Sequence, residues 1–144
     1  MVKSKHIVLL FLLATAFTLF LDQGTKWLIQ YVQPSWTFSV ISIHLTTNTG
    51  AGFGILQGQT ILLGIISLFV GILVVAYYSK IPKYWLPQVL MGLFLGGVLG
   101  NLIDRLFRGH VIDFMDISFW PSFNVADLAI TVSAIGLIIY FWKT

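Results

Sequence analysis

The sequence predicts an all-α membrane protein. It reads as one domain over residues 1–144, with four transmembrane helices and a small extracytoplasmic β or extended element after the first. Three observations carry this. Hydrophobic residues make up 58% of the chain and charged residues only 9%, too apolar for a soluble domain of this size. The apolar residues gather into runs long enough to cross ~30 Å of hydrocarbon at ~1.5 Å per residue. Between the first two runs lies a stretch rich in β-branched residues, aromatics and glycine.

The first helix is expected over residues 6–31. Lys3 and Lys5 precede an apolar run from Ile7 to Leu21, which could open a secretory signal peptide as well as a membrane helix. No small-x-small cleavage site follows Leu21. The chain continues as DQGTKWLIQYV, with Trp27 and Tyr31 suited to a membrane interface, so this helix is expected to stay uncleaved. Asp22 and Lys26 are spaced i, i+4 and share one face. They could form an ion pair at the outer interface, or point inward and organise a polar site.

Residues 33–59 hold WTFSVISIHL and then NTGAGFG, with no charge between Tyr31 and Ser79. Strand-like composition followed by a glycine-rich turn predicts a small extended or hairpin element at the membrane surface. A phosphate-binding loop is disfavoured, because no Lys-Ser/Thr follows the glycines. Residues 60–79 form an uncharged run of 20 and give helix 2, closed by the basic turn Lys80-Ile81-Pro82-Lys83. Helix 3 is expected over 86–107, with Gly92, Gly96 and Gly100 at four-residue spacing and Gly97 beside them. That period lets helix backbones approach closely in lipid. Helix 4 is expected over 124–142, with Asn124 as its N-cap and Asp127 at N3.

Charge placement sets orientation. Lys3, Lys5, Lys80, Lys83 and Lys143 fall on one side of such a bundle, and Lys26, Arg105 and Arg108 on the other. Five against three predicts both termini in the cytoplasm, with residues 33–59 and the 109–123 connection outside. The net charge of +3 is scattered, which excludes a nucleic-acid interface. The absence of cysteine excludes disulfides and thiolate metal sites.

All five acidic residues are Asp, and four lie between Gly96 and Asp127: Asp104, Asp113, Asp116 and Asp127. Ionisable groups between membrane helices are costly and point to a functional site. Asp113 and Asp127 are 14 residues apart and could meet if Asp113 closes the end of helix 3 and Asp127 opens helix 4. Two carboxylates in a poorly hydrated site would share one proton. The ionised member could then deprotonate a water while the other donates to a carbonyl oxygen, as in aspartic proteases. Plainer roles exist for each acid. Asp127 at N3 complements the helix dipole whatever else it does, Asp104 and Arg105 could pair with interfacial groups, and Asp116 reads as a solvated loop acid. Two rival functions also fit an acidic cluster. Asp113 and Asp116 at i, i+3 could hold Mg²⁺ in a membrane transferase, although the cluster is thin. Asp22, Asp113 and Asp127 could line an ion path, although no acid lies in the inner half of any helix.

The motifs DQGTK, NTGAGFG, GNLIDRLFRGHVIDF and FNVAD, in that order, closely resemble the bacterial lipoprotein signal peptidase (signal peptidase II) family over nearly the whole chain. GxVxDF followed by FNxAD is the specific part. The resemblance implies an aspartic endopeptidase of the bacterial cytoplasmic membrane, with its active site near the outer face. It implies removal of the signal peptide from a lipid-modified prolipoprotein, by cleavage before the diacylglyceryl-cysteine. The catalytic pair carried over is Asp113 and Asp127. Asp22, Lys26, Asn48, Gly50, Gly97, Asn101, Arg105, Asn124 and Ala126 fall on marked positions, as support for the dyad or contacts to substrate and lipid. No metal, cofactor or nucleic acid is implied; membrane lipid is the other expected partner, and a monomer is expected. The chain departs at Ala51-Gly52, where the family usually has two alanines, and at Leu128, where a small residue usually follows the second Asp. Neither change removes a chemical group. The connection from Asp113 to Asp127 is short for the family, which bears on the size of any lid.

Overall fold

A computed structural model of the protein describes residues 4–143. Four α-helices alternate with a small sheet. Helix α1 (Ser4–Val32) leads into strands β1 (Ser35–Phe38) and β2 (Ile41–Asn48). A short 3-10 turn at Gly52–Gly54 precedes α2 (Thr60–Ala76), and a second at Tyr78–Lys80 leads towards α3 (Trp85–Phe107). Strands β3 (Val111–Ile117) and β4 (Trp120–Phe123) then return the chain to α4 (Val125–Trp142).

Three of these helices are long and apolar enough to cross a membrane: His6–Val32, Trp85–Phe107 and Val125–Trp142. Helix α2 has 17 residues and is shorter than the span expected over 60–79. Beyond its C-cap at Tyr77 the chain tightens into the 3-10 turn, where Tyr78 is tied to the start of α3. The Tyr78 hydroxyl donates to Gln88 Oε1 at 2.7 Å, and Lys83 Nζ donates to the Tyr78 carbonyl at 3.0 Å. The Tyr78 ring also packs 4.8 Å from that of Phe11.

Helix α3 is the central element, packed against α1, α2 and α4. Its small residues make this possible. A Cβ added at Gly96 would lie 2.8 Å from the Thr15 carbonyl oxygen of α1, and one at Gly97 would lie 2.6 Å from the Ala126 carbonyl oxygen of α4. Two helices thus approach α3 backbone to side-chain-free backbone, as the glycine spacing predicts. The outward faces stay apolar, with Phe20, Ile61, Phe69 and Ile138 among the exposed side chains.

The extended element expected after helix 1 is present as β1 and β2, but it is half of a larger unit. The sheet has four antiparallel strands in the order β1-β2-β3-β4. The 109–123 connection, expected to be a plain loop, supplies β3 and β4. Thr46 pairs with Asp113 and Asn48 with Val111. The physical reason is burial: Val111, Ile112, Asp113 and Phe114 are all buried. Ile112 and Phe114 form a cluster with Ile29 of α1, packed by Ile43, Leu45, Met115 and Val125. The sheet is thereby fixed to the end of α1 and the start of α4.

Candidate active site

Asp113 does not close α3, as the sequence suggested; it sits in the middle of β3. Asp127 lies at N3 of α4, as expected. Asn124, the N-cap of α4, joins them. Its side-chain oxygen accepts from the Asp127 N–H at 2.9 Å, and its own N–H donates to Asp127 Oδ2 at 3.2 Å. This is a capping box with an acid in the Glu position. The Asn124 amide nitrogen meanwhile donates to Asp113 Oδ1 at 2.7 Å. One residue therefore touches both carboxylates.

The remaining oxygens are held by two further amides. Asn48 Nδ2 donates to Asp113 Oδ2 at 3.0 Å, and Asn101 Nδ2 donates to Asp127 Oδ1 at 2.8 Å. All four carboxylate oxygens accept a neutral N–H donor. Burial, and then the neighbouring Asp127 carboxylate, push the Asp113 carboxyl up to about 6, against the opposing pull of the Asn48 and Asn124 amides. Near pH 6 such a carboxyl is half protonated and is chemically able to act as an acid or as a base.

Asn48 is fixed in turn by the loop that follows it. Its side-chain oxygen accepts from the Gly50 N–H at 2.9 Å, and Arg105 Nη2 donates to the Gly50 carbonyl at 3.3 Å. A Cβ at Gly50 would meet the Ile55 carbonyl oxygen at 2.8 Å, so this loop closes only around glycine.

Behind the pair lies a second, fully buried network. Lys26 Nζ donates to Asp22 Oδ2 at 2.8 Å, Asp104 Oδ2 at 2.9 Å and Asn101 Oδ1 at 3.0 Å. Asp22 Oδ1 accepts the Ala126 N–H at 2.9 Å. Asp22 and Lys26 thus form their ion pair inside the bundle rather than at the interface. Asp104 is likewise no interfacial group. It pairs with Lys26 and Arg108 and accepts from Gln23 Nε2 at 3.0 Å and the Ile112 N–H at 3.1 Å. Asp22, Lys26, Asn48, Gly50, Asn101, Arg105, Asn124 and Ala126 all lie in or beside these two networks. Sequence reasoning passed over Gln23, Asp104 and Arg108 as members. The helical stripe Asn101, Asp104, Arg108 (i, i+3, i+7) was the available signal.

Asp127 opens onto two adjoining cavities, whereas Asp113 is 1% exposed behind it. One cavity, of about 230 Å³, is lined by Asn48, Gly50, Arg105, Trp120 and Phe123 among others. The other, of about 320 Å³, is apolar, lined by Ile117, Phe119, Trp120, Phe123, Leu128 and Thr131 beside Asp127. A cavity with polar groups in its wall next to a more apolar one suits a peptide bond attached to an apolar segment. Asp116, three residues from Asp113 on a strand, alternates to the opposite face and accepts from Ser122 Oγ at 2.9 Å. The i, i+3 acid pair considered for a cation therefore does not form. Among the described residues no cluster of three or more acidic or histidine side chains gathers.

Comparison with known proteins gives one consistent result. A family model described as signal peptidase (SPase) II matches residues 14–143. A lipoprotein signal peptidase from Caldanaerobacter subterraneus is 44% identical over 128 residues, spanning 85% of this chain and 88% of the relative. One from Moorella thermoacetica is 41% identical over 139 residues, spanning 92% and 91%. Two solved bacterial membrane enzymes, determined in meso at 2.3 Å and 1.9 Å, superpose with TM-scores of 0.85 and 0.82 at 32% identity. Both alignments span 92% of this chain, with 87% and 92% of the respective structure.

Proposed function

The chain belongs to the signal peptidase II family, and on that premise we propose that Asp113 and Asp127 are an aspartic dyad that hydrolyses the signal peptide of a lipid-modified prolipoprotein. Family membership carries the coarser statement by itself: this is a bacterial membrane protease that removes signal peptides from prolipoproteins. The observation that supports the finer reading is Asn124. It donates to both carboxylates, from its side chain to Asp113 and from its backbone to Asp127.

The pair carries one proton. The ionised member takes a proton from a water molecule, whose oxygen attacks the scissile carbonyl carbon. The protonated member donates to the carbonyl oxygen, giving a neutral gem-diol. Collapse breaks the C–N bond; one carboxyl protonates the leaving nitrogen, and the other takes the hydroxyl proton. The enzyme ends as it began, with one proton between two acids.

The substrate's apolar segment enters from the bilayer, and the apolar cavity beside Leu128 and Phe123 receives the part next to the cleaved bond. The bond cut is the one preceding the diacylglyceryl-cysteine, whose acyl chains stay in the lipid. Both termini lie in the cytoplasm, the sheet and dyad lie near the outer face, and the protein acts as a monomer. Asn101 and Asn48 hold the carboxylates, and Arg105 and Gly50 close the loop over them.

Processing of a lipidated precursor in detergent tests this. Asp113→Asn and Asp127→Asn should each lower turnover by about 10³-fold or more, since each removes one half of the acid–base pair, while membrane insertion is unchanged. Addition of EDTA should have no effect. Either variant working within tenfold of the parent would exclude the dyad.

A further inference from the structure

The buried charges behind the dyad form a closed set. Asp22 and Lys26 come from α1, and Asp104 and Arg108 from α3: two negative groups against two positive ones. Asp22, Lys26 and Asp104 are completely buried, and the Arg108 side chain is 24% exposed. Burying such charges is tolerated only when each is paired and hydrogen-bonded. Nothing in the chemistry of hydrolysis requires three buried charges and a fourth beside them, yet the network ends at both carboxylates.

We infer that Asp104 is a positioning residue that holds Asp113 and Asp127 in register through two arms. On one side, Asp104 Oδ2 accepts the Ile112 N–H at 3.1 Å, fixing the strand at the residue before Asp113. On the other, the same oxygen holds Lys26 Nζ at 2.9 Å. Lys26 donates to Asn101 Oδ1, which turns the Asn101 amide nitrogen towards Asp127 Oδ1. Asn124 Nδ2 also donates to Asn101 Oδ1 at 3.2 Å, so Lys26 is one of two donors that set the Asn101 amide. Gln23 and Arg108 close the other oxygen, so Asp104 has a single orientation. Its role is indirect: it touches neither cavity nor substrate.

The network also sets the electrostatic balance at the dyad. The charged groups that act directly on the pair are Asp22 and Lys26 from α1 and Arg105 from α3, while Asp104 and Arg108 lie one contact further out, paired with Lys26 and with each other; Asp113 and Asp127 come from β3 and α4. Removing Asp104's charge leaves Lys26 and Arg108 in excess, which favours the doubly ionised dyad. Removing Arg108's charge does the reverse.

This inference rests on the dyad reading, and the test separates the two. The pH dependence of kcat/KM for lipidated-precursor processing is measured for the parent, Asp104→Asn, Arg108→Gln and the double variant, beside Asp113→Asn. In Asp104→Asn the alkaline limb should move to lower pH by about half a unit or more, and in Arg108→Gln it should move to higher pH by a similar amount. The double variant, neutral again, should return towards the parent's limb. In Asp104→Asn kcat should fall by about tenfold or more, with KM within twofold. Should Asp104→Asn fail to insert, the partly exposed Arg108→Gln still carries the test alone. Variants that lose activity equally at every pH, or limbs that stay fixed, would overturn the positioning role and leave the dyad standing. An active Asp113→Asn would overturn the dyad itself.

Discussion

Asn124 bonds both carboxylates, Asp113 through its side chain and Asp127 through its backbone N–H, and its replacement separates capping from catalysis. Asn124→Ala removes the N-cap acceptor, a loss of about 1 kcal/mol in stability. It also removes the donor to Asp113 Oδ1, which pulls against the upward push of burial. Without it the Asp113 proton is held more tightly. The alkaline limb of kcat/KM should therefore move to higher pH, with kcat lowered by about 10²-fold; a fall in stability with an unmoved limb would leave Asn124 a cap only. At this scale much was legible. The five-residue run FNVAD announces both the N-cap and the acid at N3, and Asp22 with Lys26 announces a shared helix face. Asp104 was not legible as a core residue, because a charge near the end of an apolar helix reads equally well as an interfacial group. Only the approach of α1, 78 residues earlier in the chain at Lys26, turns Asp104 into a buried anion.

The helices were readable from local pattern, and half of the sheet was not. Glycine spacing in α3 predicts close packing, and the backbone contacts at Gly96 and Gly97 follow. Strand β3 reads VIDFMDI, too short to distinguish from a loop near a helix end, and its partner β2 lies about 65 residues away in sequence. Pairing of that range leaves no local signal. The helix-packing claim predicts opposite outcomes for two glycines. Gly96→Ala drives a methyl into Thr18 and the Thr15 carbonyl of α1 and should destabilise by about 1–3 kcal/mol. Gly24→Ala meets nothing within 4 Å and should be neutral or stabilising by about 0.5–1 kcal/mol. Thermal unfolding of the two variants in detergent reads the difference. Equal effects would mean that α1 and α3 are not held at that distance.

For the molecule as a whole, the number of crossings decides which sides its ends occupy. Helix α2, at 17 residues, spans about 25 Å against a hydrocarbon core of about 30 Å. With the 3-10 turn at Tyr78–Lys80 it gains length, and a thinner bilayer or interfacial tyrosines can take up the remainder. Four crossings would put both ends on one side together with Lys80 and Lys83, the side that the basic residues assign to the cytoplasm. Reporter fusions at the two ends should both register cytoplasmic. Ends on opposite sides would mean three crossings, and α2 would then lie along the surface.

The proposed function turns on two carboxyls, Asp113 buried and Asp127 facing the cavities, that divide a single proton. The measurement closest to it is the pH dependence of kcat/KM for the unaltered protein, because that ratio titrates the free enzyme. Burial and the neighbouring Asp127 carboxylate push the Asp113 carboxyl up to about 6, and a dyad that gives up its one shared proton has no acid left for the carbonyl. Processing should accordingly fall tenfold per unit as pH rises beyond this value, following a single ionisation. A rate that stays level from pH 5 to 9 would contradict the shared proton.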